Sequence, residues 1–260
     1  MAERPVVLVT GAAQRIGRTI ALELAAHGFD LAIHARRSLA EAEATAVDCR
    51  AAGARAEVLL ADLDDEAATR TLVPRAVAAL GRLDAVVNNA SRFEYDSPAD
   101  FSYAALLAHA GANTGAPVLL AQALAEHLAG RPADARGCVV NLLDQKLSNP
   151  NPDYFSYTLS KAALDAATVM LAQALAPRVR VCGVSPGVTL LSGPMNEAEF
   201  SASHAMTPLG RSSTPADIAR AVRFLIESPA ITGTNLLVDG GQHLQAQARD
   251  VLFLARDAAA

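Results

Sequence analysis

A tyrosine and a lysine four residues apart, Tyr157 and Lys161, form the pair with the most readily named chemistry in this sequence. Residues 157–175 are rich in Ala and Leu at helical spacing, so both side chains should lie on one helix face, about one turn apart. A phenol has a pKa of about 10 and is a poor acid at neutral pH, but a nearby ammonium group lowers that pKa. The pair predicts a general acid/base, Tyr157, tuned by Lys161. Taken alone, this common spacing more often marks a partly exposed tyrosine packed under a solvated lysine.

A carboxyl group, Asp144, stands thirteen residues before Tyr157. It follows an apolar run, residues 137–143, that is typical of a buried strand. Asp144 should therefore lie at a strand end, facing the helix that carries Tyr157. The alternative is a turn or cap residue, with Ser148 or a water molecule acting in its place.

The composition predicts a cytosolic protein with a large core. The chain has 260 residues, of which 52% are hydrophobic and 19% charged, with a net charge of -5. That length suits one domain over residues 1–260, and the absence of a basic stripe argues against nucleic acid as a partner. Three cysteines without Cys-x-x-Cys spacing suggest reduced, buried thiols, and the scattered histidines predict no metal. The N-terminus lacks the apolar region of a signal peptide, and residues 101–125 are too polar and broken for a membrane span.

Short apolar runs alternate with helical stretches along the chain. This pattern predicts βαβ units, and therefore an α/β fold with a doubly wound parallel sheet and helices on both faces. The expected strands are 6–10, 30–34, 56–60, 85–88, 138–143, 179–184 and 235–238. The expected helices are 15–27, 39–52, 65–80, 101–112, 117–128, 157–175 and 214–226. Residues 187–213 form a long connection, which predicts a substrate loop, and residues 245–260 form a tail.

A glycine-containing turn between the first strand and first helix predicts a dinucleotide site. Gly11 allows the tight turn and Gly17 lets the helix approach the sheet, so that Arg15, Ile16 and the helix N-terminus face a pyrophosphate. The alternative is an ordinary turn from strand to helix.

The end of the second strand selects the cofactor. NAD sites usually place Asp or Glu there, whereas this chain has His34, Arg37 and Ser38, which suit a 2′-phosphate and predict NADP(H). A solvated basic turn would have the same composition. After the third strand come Asp62 and Leu63, where Asp62 could bond the adenine amine or cap the next helix.

Six motifs in order resemble the short-chain dehydrogenase/reductase family over nearly the whole chain. They are Thr10-Gly-x5-Gly17, Asn88-Asn-Ala90, Asn113 before Thr114-Gly115, Tyr157-x-x-x-Lys161, Ser185-Pro-Gly187 and Val238-Asp-Gly-Gly241. The resemblance implies that Tyr157 delivers the proton, that Lys161 holds the ribose, and that Asn113 holds a relay water. It also implies that Asn89, Ala90, Pro186 and Gly187 line the cofactor, and that the protein is a dimer or tetramer.

Two departures from the family pattern resemble its pteridine reductase and dihydromonapterin reductase branch. The middle glycine of the first loop is Arg15, and the catalytic serine is replaced by Asp144. Further matches are Asn89-Ala-Ser91-Arg-Phe93, whose Phe would stack on a pterin, and Pro186-Gly-Val188-Thr189, whose hydroxyl would meet a phosphate. The resemblance implies that substrate contacts Arg15, Ser91, Phe93, Asp144 and Tyr157. Phe93 could instead anchor its loop, and Arg15 could pair with a carboxylate on its helix.

An ionised Asp144 cannot donate a hydrogen bond to a ketone oxygen, and it raises the Tyr157 pKa. Reduction of a C=N bond is different, because the ring nitrogen must gain a proton that a coupled Asp144–Tyr157 pair could supply. We therefore expect an NADP(H)-dependent reductase of a pterin. The alternatives are a reductase of a ketone, quinone or acyl thioester, and an NADP(H)-binding regulatory protein without turnover.

Overall fold

A single parallel sheet of seven strands forms the centre of the molecule in the computed structural model, which describes residues 4–191 and 195–259. The spatial order is β3-β2-β1-β4-β5-β6-β7, and every neighbouring pair is parallel. The strands are β1 Val6–Val9, β2 Asp30–Ala35, β3 Ala56–Leu60, β4 Ala85–Asn88, β5 Gly137–Leu142, β6 Val179–Pro186 and β7 Asn235–Val238. This confirms the predicted α/β class.

The helices cover both faces of the sheet. They are α1 Arg15–Ala26, α2 Leu39–Ala51, α3 Glu66–Leu80, α4 Tyr103–Ala110, α5 Ala116–Ala129, α6 Phe155–Leu175, α7 Glu197–Ala205, α8 Pro215–Glu227 and α9 Val251–Ala259. The four core strands β1, β2, β4 and β5 are buried at every residue, as expected of a parallel sheet covered on both sides. Two apolar clusters, one on each face, contain Cys49, Cys138 and Cys182 in the first and the β1 residues Val6 and Leu8 in the second.

The strand order reverses at β1, which pairs with β2 on one side and with β4 on the other. Val9 lies opposite Ile33 in β2 and opposite Val87 in β4. Connections therefore leave the carboxyl ends of β1 and β4 in opposite directions and open a crevice between them. Crevices of this kind are where open α/β sheets bind ligands.

The helices predicted over 101–112 and 117–128 are joined by a π-helical turn, Gly111–Gly115, which makes the two helices one continuous rod. Pro117 follows the π-helical turn directly, and the Ala116 N–H before it donates to the Gly111 carbonyl, so the rod continues through the proline. By length and composition alone the 27 residues Tyr103–Ala129 could cross a membrane, but this rod packs against α3 and α6.

Two helices lie where the sequence predicted none. Helix α7, inside the predicted substrate loop, begins at a capping box in which Asn196 and Glu199 satisfy each other's backbone N–H groups. Helix α9 lies in the predicted tail and packs on α7. Both are nine residues long, and such short helices form through packing more than through intrinsic propensity. Residues 192–194 of the loop lie outside the described part of the chain.

Candidate active site

Asp144 and Tyr157 are in direct contact at the carboxyl end of β5. The Tyr157 hydroxyl donates a hydrogen bond to Asp144 Oδ2 at 2.8 Å, and the Lys146 backbone N–H donates to Asp144 Oδ1 at 2.9 Å. Asp144 is therefore both the cap of the turn Gln145–Ser148 and the partner of the predicted acid. Ser148, the alternative partner, is exposed at the far end of that turn.

Burial favours the protonated forms of this pair. Loss of solvation raises the pKa of Asp144, and the same loss together with the Asp144 charge raises the pKa of Tyr157 well above its usual value. The Tyr157 pKa is raised overall, because burial and the neighbouring Asp144 carboxylate act against the lowering expected from Lys161. Asp144 and Tyr157 thus both hold their protons more tightly than the same groups do in water.

Lys161 lies beneath Tyr157 in a buried position. Its ammonium donates to the Leu142 carbonyl at 2.7 Å and lies 5.8 Å from the centre of the Tyr157 ring. Burial lowers the pKa of Lys161 to about 8. The predicted face shared by Tyr157 and Lys161 is present, because both side chains are buried on α6.

The first turn of α6 is held by a residue that sequence reasoning missed. The helix follows Tyr154, whose φ of 54° is left-handed and whose side chain provides no cap. Asp96 does so instead, accepting from Ser156 N at 2.9 Å and from Ser156 Oγ at 2.5 Å. A cap from sixty positions away carries no signal in the local pattern. Asp96 fixes the start of the helix that presents Tyr157 and is a positioning residue.

Asn113 is buried in the π-helical turn with its side-chain amide fully engaged. Its Nδ2 donates to the Arg92 carbonyl and to Ser160 Oγ, both at 2.9 Å. Its Oδ1 accepts from Arg92 N at 2.8 Å and from Ser91 Oγ at 3.2 Å. The Asn113 side chain therefore links Ser91 and Arg92, which follow β4, to Ser160 of α6. The relay water expected at Asn113 stays a prediction, and it cannot use these side-chain atoms without displacing a partner.

The Asp144–Tyr157 pair, called the acid pair below, lies in the wall of a cleft of about 290 Å³. The predicted residues that line it are Arg15, Ile16, Asn89, Ser91, Phe93, Asp144, Tyr157, Lys161, Pro186, Gly187, Val188 and Thr189. One face of Phe93 stacks on Tyr154 with centroids 4.3 Å apart, and its edge meets Tyr157. Phe93 thus has the anchoring role considered as an alternative, yet it remains 38% exposed at the cleft.

The glycine loop can fold tightly because glycine stands at its two ends, Gly11 and Gly17. A Cβ on Gly17 would lie 2.2 Å from the Gly11 carbonyl oxygen, and Gly11 itself has a φ of +64°. Helix α1 follows Gln14, which provides no side-chain cap, so the positive end of the helix faces the cleft. This cradle fits the pyrophosphate of a dinucleotide.

Arg15 has a φ of 57° and donates from Nη2 to the Leu191 carbonyl at 2.7 Å. No carboxylate among the described residues pairs with it, so the ion pair considered for Arg15 is absent from that part of the chain. The side chain instead reaches across the cleft to the segment that follows β6.

The basic segment after β2 divides into a buried and an exposed part. The His34 ring is buried, with Nδ1 accepting from Gly11 N at 3.2 Å and Nε2 3.1 Å from the Ala61 carbonyl. Burial lowers the pKa of His34 to about 4, so the ring is neutral and supports the loop instead of offering charge to a phosphate. Arg36 and Arg37 are exposed beyond it, and Ser38 precedes α2 without using its hydroxyl as a cap.

A second cleft of about 290 Å³ continues from the first and shares Ser91 and Phe93 with it. Predicted residues Gly11, His34, Asp62, Leu63 and Ala90 line it, together with Arg36. The cap of α3 is Asp65 and not Asp62, which leaves Asp62 at the cleft. The two connected clefts match the two halves of a dinucleotide.

The segment after β6 is shaped by close backbone contacts. A Cβ on Gly187 would lie 2.3 Å from Ser212 Oγ, so the position requires glycine. Thr189 Oγ1 is buried between the Gly187 carbonyl at 2.9 Å and Ser213 Oγ at 2.7 Å. The predicted phosphate contact of Thr189 therefore competes with two hydrogen bonds that the structure already provides.

Four residues of the tail line the first cleft, and sequence reasoning assigned a role to none of them. They are Gln245, Gln247, Asp250 and Val251. Within residues 4–191 and 195–259, no group of three or more His, Cys, Asp or Glu side chains is placed to hold a metal ion.

Residues 11–243 match the family model described as enoyl-(acyl carrier protein) reductase. A solved structure of FolM alternative dihydrofolate reductase 1 from Brucella canis, complexed with NADP, superposes with a TM-score of 0.88 at 42% identity and covers 96% of this chain and 98% of that one.

Two curated relatives differ in their named substrates. A protein named as a ketoacyl reductase of the granaticin polyketide synthase of Streptomyces violaceoruber is 37% identical and covers 93% of this chain and 97% of its own length. Pteridine reductase 1 of Leishmania tarentolae is 34% identical, with 92% and 96% covered. The chain belongs to the short-chain dehydrogenase/reductase family.

Proposed function

We propose that this protein is an NADPH-dependent reductase of a pterin-type substrate. The hydrogen bond between Tyr157 and Asp144, at 2.8 Å, carries the proposal. It places a carboxyl group where the family resemblance implies a serine in ketone reductases. The relatives named for pteridine and dihydrofolate reduction support the same substrate class.

The acid pair suits a C=N bond better than a ketone. A ketone oxygen becomes an alkoxide as it gains a hydride, and a nearby carboxylate repels that charge. A ring nitrogen instead needs a proton, and Tyr157 can donate one and take a replacement from the Asp144 carboxyl group, which leaves the negative charge on Asp144. Burial raises the pKa of both groups, so each holds its proton to a higher pH than the same group would in water.

The cofactor site fits NADP(H) at both ends. The cradle of Gly11 and Gly17 would hold the pyrophosphate, and the exposed guanidinium groups of Arg36 and Arg37 would bind the 2′-phosphate. Asp62 lines the second cleft, where it would bond the adenine amine. When bound, the cofactor supplies a hydride at the nicotinamide.

Residues around the nicotinamide half have separate tasks. Lys161, anchored on the Leu142 carbonyl, would hold the ribose hydroxyls below Tyr157. The exposed part of Phe93 would pack against the pterin ring, and Asn89 would keep the loop closed through its bonds to the Thr10 and Gly11 carbonyls. These contacts orient the substrate and exclude water.

A second candidate is a reductase of an acyl thioester ketone, which the granaticin relative favours. The presence of Asp144 instead of serine speaks against it. A regulatory protein that binds NADP(H) without turnover would have no use for a buried Tyr157 and Lys161, both of which are in place.

We also propose a cytoplasmic homo-oligomer, a dimer or tetramer. The three buried thiols suit a reducing compartment. Large apolar side chains are exposed on α4 and α6, which pack against each other: Tyr103, Leu107, Leu159, Val169 and Met170. Such a face is typical of a surface that another subunit covers.

The test is the loss of NADPH absorbance with dihydrobiopterin, dihydromonapterin and dihydrofolate as substrates, with NADH as the alternative cofactor. We expect turnover of at least one of these with NADPH and a much weaker rate with NADH. Absence of turnover with every one of them, combined with reduction of a ketone or acyl thioester, would contradict the proposal.

A further inference from the structure

The C-terminal segment, residues 245–259, is held against the active site by charged side chains. Arg249 forms a two-pronged ion pair with Asp153, from Nε at 2.8 Å and Nη2 at 3.0 Å. The Asp250 backbone N–H donates to the same carboxylate at 2.8 Å. Asp153 lies just before α6, so the segment is fastened next to the helix that carries Tyr157.

Contacts beyond these extend along α9. Phe253 packs edge-on against Tyr95 at 5.6 Å, and Tyr95 meets the Tyr154 ring, on which Phe93 is stacked. At the other side Arg256 bonds Glu199 of α7 at 2.6 Å. The segment thus packs against both the aromatic group beside Tyr157 and the helix of the substrate loop.

Lys146 connects this segment to the acid pair. Its side chain is 6% exposed. Its ammonium donates to the Asp153 carbonyl at 2.6 Å and lies 3.4 Å from Asp250 Oδ2. Its backbone N–H holds Asp144 Oδ1 at 2.9 Å. A single residue therefore contacts Asp144 through its backbone and Asp250 through its side chain.

We propose that Asp250 is a positioning residue for the Asp144–Tyr157 pair, acting through Lys146, and that residues 245–259 are thereby part of the active site. Asp250 draws the Lys146 ammonium to itself and balances its charge. Without that carboxylate, the charge of the Lys146 ammonium would be less compensated and would stabilise the ionised form of Asp144. This role of the segment in reduction rests on the proposed function.

The charges around the pair agree with this direction. The charged groups that act on the pair are Lys146, from the turn after β5, and Asp250, from the tail, and Asp144 in turn acts on Lys161 of α6. Around Lys146 and Asp250 lie Asp153, Tyr154 and Arg249. Arg256 and Glu199 pair with each other between α9 and α7. Asp250 raises the pKa of both Asp144 and Tyr157, whereas Lys146 lowers that of Asp144. Removing the Asp250 charge should lower both.

The experiment is a carbon NMR titration of the protein labelled at aspartate carboxyl carbons, with the Asp144 signal assigned by its loss in Asp144→Asn. Wild type is compared with Asp250→Asn and Asp250→Glu. Asparagine keeps the N-cap of α9, since Asp250 Oδ1 accepts from Leu252 N and asparagine caps equally well. Asp134→Asn is the matched control, because Asp134 is exposed and precedes β5, whereas Asp144 follows that strand at its carboxyl end.

We expect the Asp144 midpoint to fall by about half a pH unit or more in Asp250→Asn, and to stay near wild type in Asp250→Glu and Asp134→Asn. In turnover, the decline of the rate with rising pH should then begin at a lower pH in Asp250→Asn than in wild type, because Asp144 loses its proton at a lower pH. An unchanged Asp144 midpoint in a folded Asp250→Asn protein would overturn the proposal. The titration needs no substrate, so failure of the pterin assay alone would count against the proposed function and leave this result to stand.

Discussion

The Tyr157 hydroxyl and the Asp144 carboxylate share a hydrogen bond of 2.8 Å in a buried site. Burial raises the pKa of both groups, so the pair holds protons that an isolated carboxyl group would release. Lys161, which the sequence suggested as the tuning group, instead bonds the Leu142 carbonyl. The chemistry of the site therefore follows from the carboxyl group more than from the lysine.

Gly17→Ala should damage the cofactor site. The added Cβ would lie 2.2 Å from the Gly11 carbonyl oxygen and 2.5 Å from Asn89 Nδ2. We expect a loss of about 1–3 kcal/mol in the free energy of unfolding, measured by urea denaturation, and weaker binding of NADPH by fluorescence titration. Gly130→Ala, where the nearest atom is 3.6 Å away, should change neither. Equal effects at both positions would contradict the close-approach explanation.

Replacing both Arg36 and Arg37 with alanine should change cofactor preference. Both side chains are exposed at the end of β2, and the loss of one hydrogen bond from a charged group, about 1.5–3 kcal/mol, corresponds to about a 10- to 100-fold change in Kd. We expect the NADPH Kd to rise about 10- to 100-fold and the NADH Kd to change little. Arg70→Ala, which removes an exposed arginine from α3, serves as the control. An equal rise in the Kd of NADPH and of NADH would show that Arg36 and Arg37 do not bind the 2′-phosphate.

His34 should make stability depend on pH. Its pKa is about 4 in the folded protein and 6.5 when unfolded, so the unfolded chain binds a proton first as the pH falls. We expect stability to decline between pH 6.5 and 4, by up to about 3 kcal/mol from this group. Urea denaturation across that range should show a shallower decline in His34→Gln than in wild type. An equal decline in His34→Gln and in wild type would contradict this origin of the pH dependence.

Phe93→Ala should weaken substrate binding more than cofactor binding. The ring lies at both clefts and is 38% exposed, and aromatic stacking contributes about 0.5–1.5 kcal/mol. We expect the pterin KM to rise about 2- to 10-fold, with the Kd for NADPH nearly unchanged. Phe101→Ala is a matched control, since Phe101 is 37% exposed and lies outside both clefts. An unchanged KM would leave Phe93 as a loop anchor only.

The sequence predicted the sheet well because its signals are local. β3 and β4 begin and end where the hydrophobic runs do, and Thr214 caps α8 as expected. The glycine positions could be predicted because Gly11 and Gly17 allow contacts that no other residue can make. The face shared by Tyr157 and Lys161 follows from helical spacing alone.

Features that depend on distant residues could not be predicted. Asp96 caps α6 from sixty positions away, and the buried state that raises the Tyr157 pKa depends on the packing of the whole site. Helices α7 and α9 support each other through Arg256 and Glu199, so neither is evident from its own residues. His34 has the composition of a phosphate ligand, but its ring is used within the protein.

The most direct test of the central claim is the effect of Asp144→Ser on pterin and ketone substrates, compared at the same pH with NADPH. If Asp144 and Tyr157 act as one acid, turnover of the pterin should fall by about 100-fold or more, and reduction of a simple ketone should be retained or rise. Pterin turnover that is unchanged in Asp144→Ser would contradict the account, as would a ketone activity that is lost together with it.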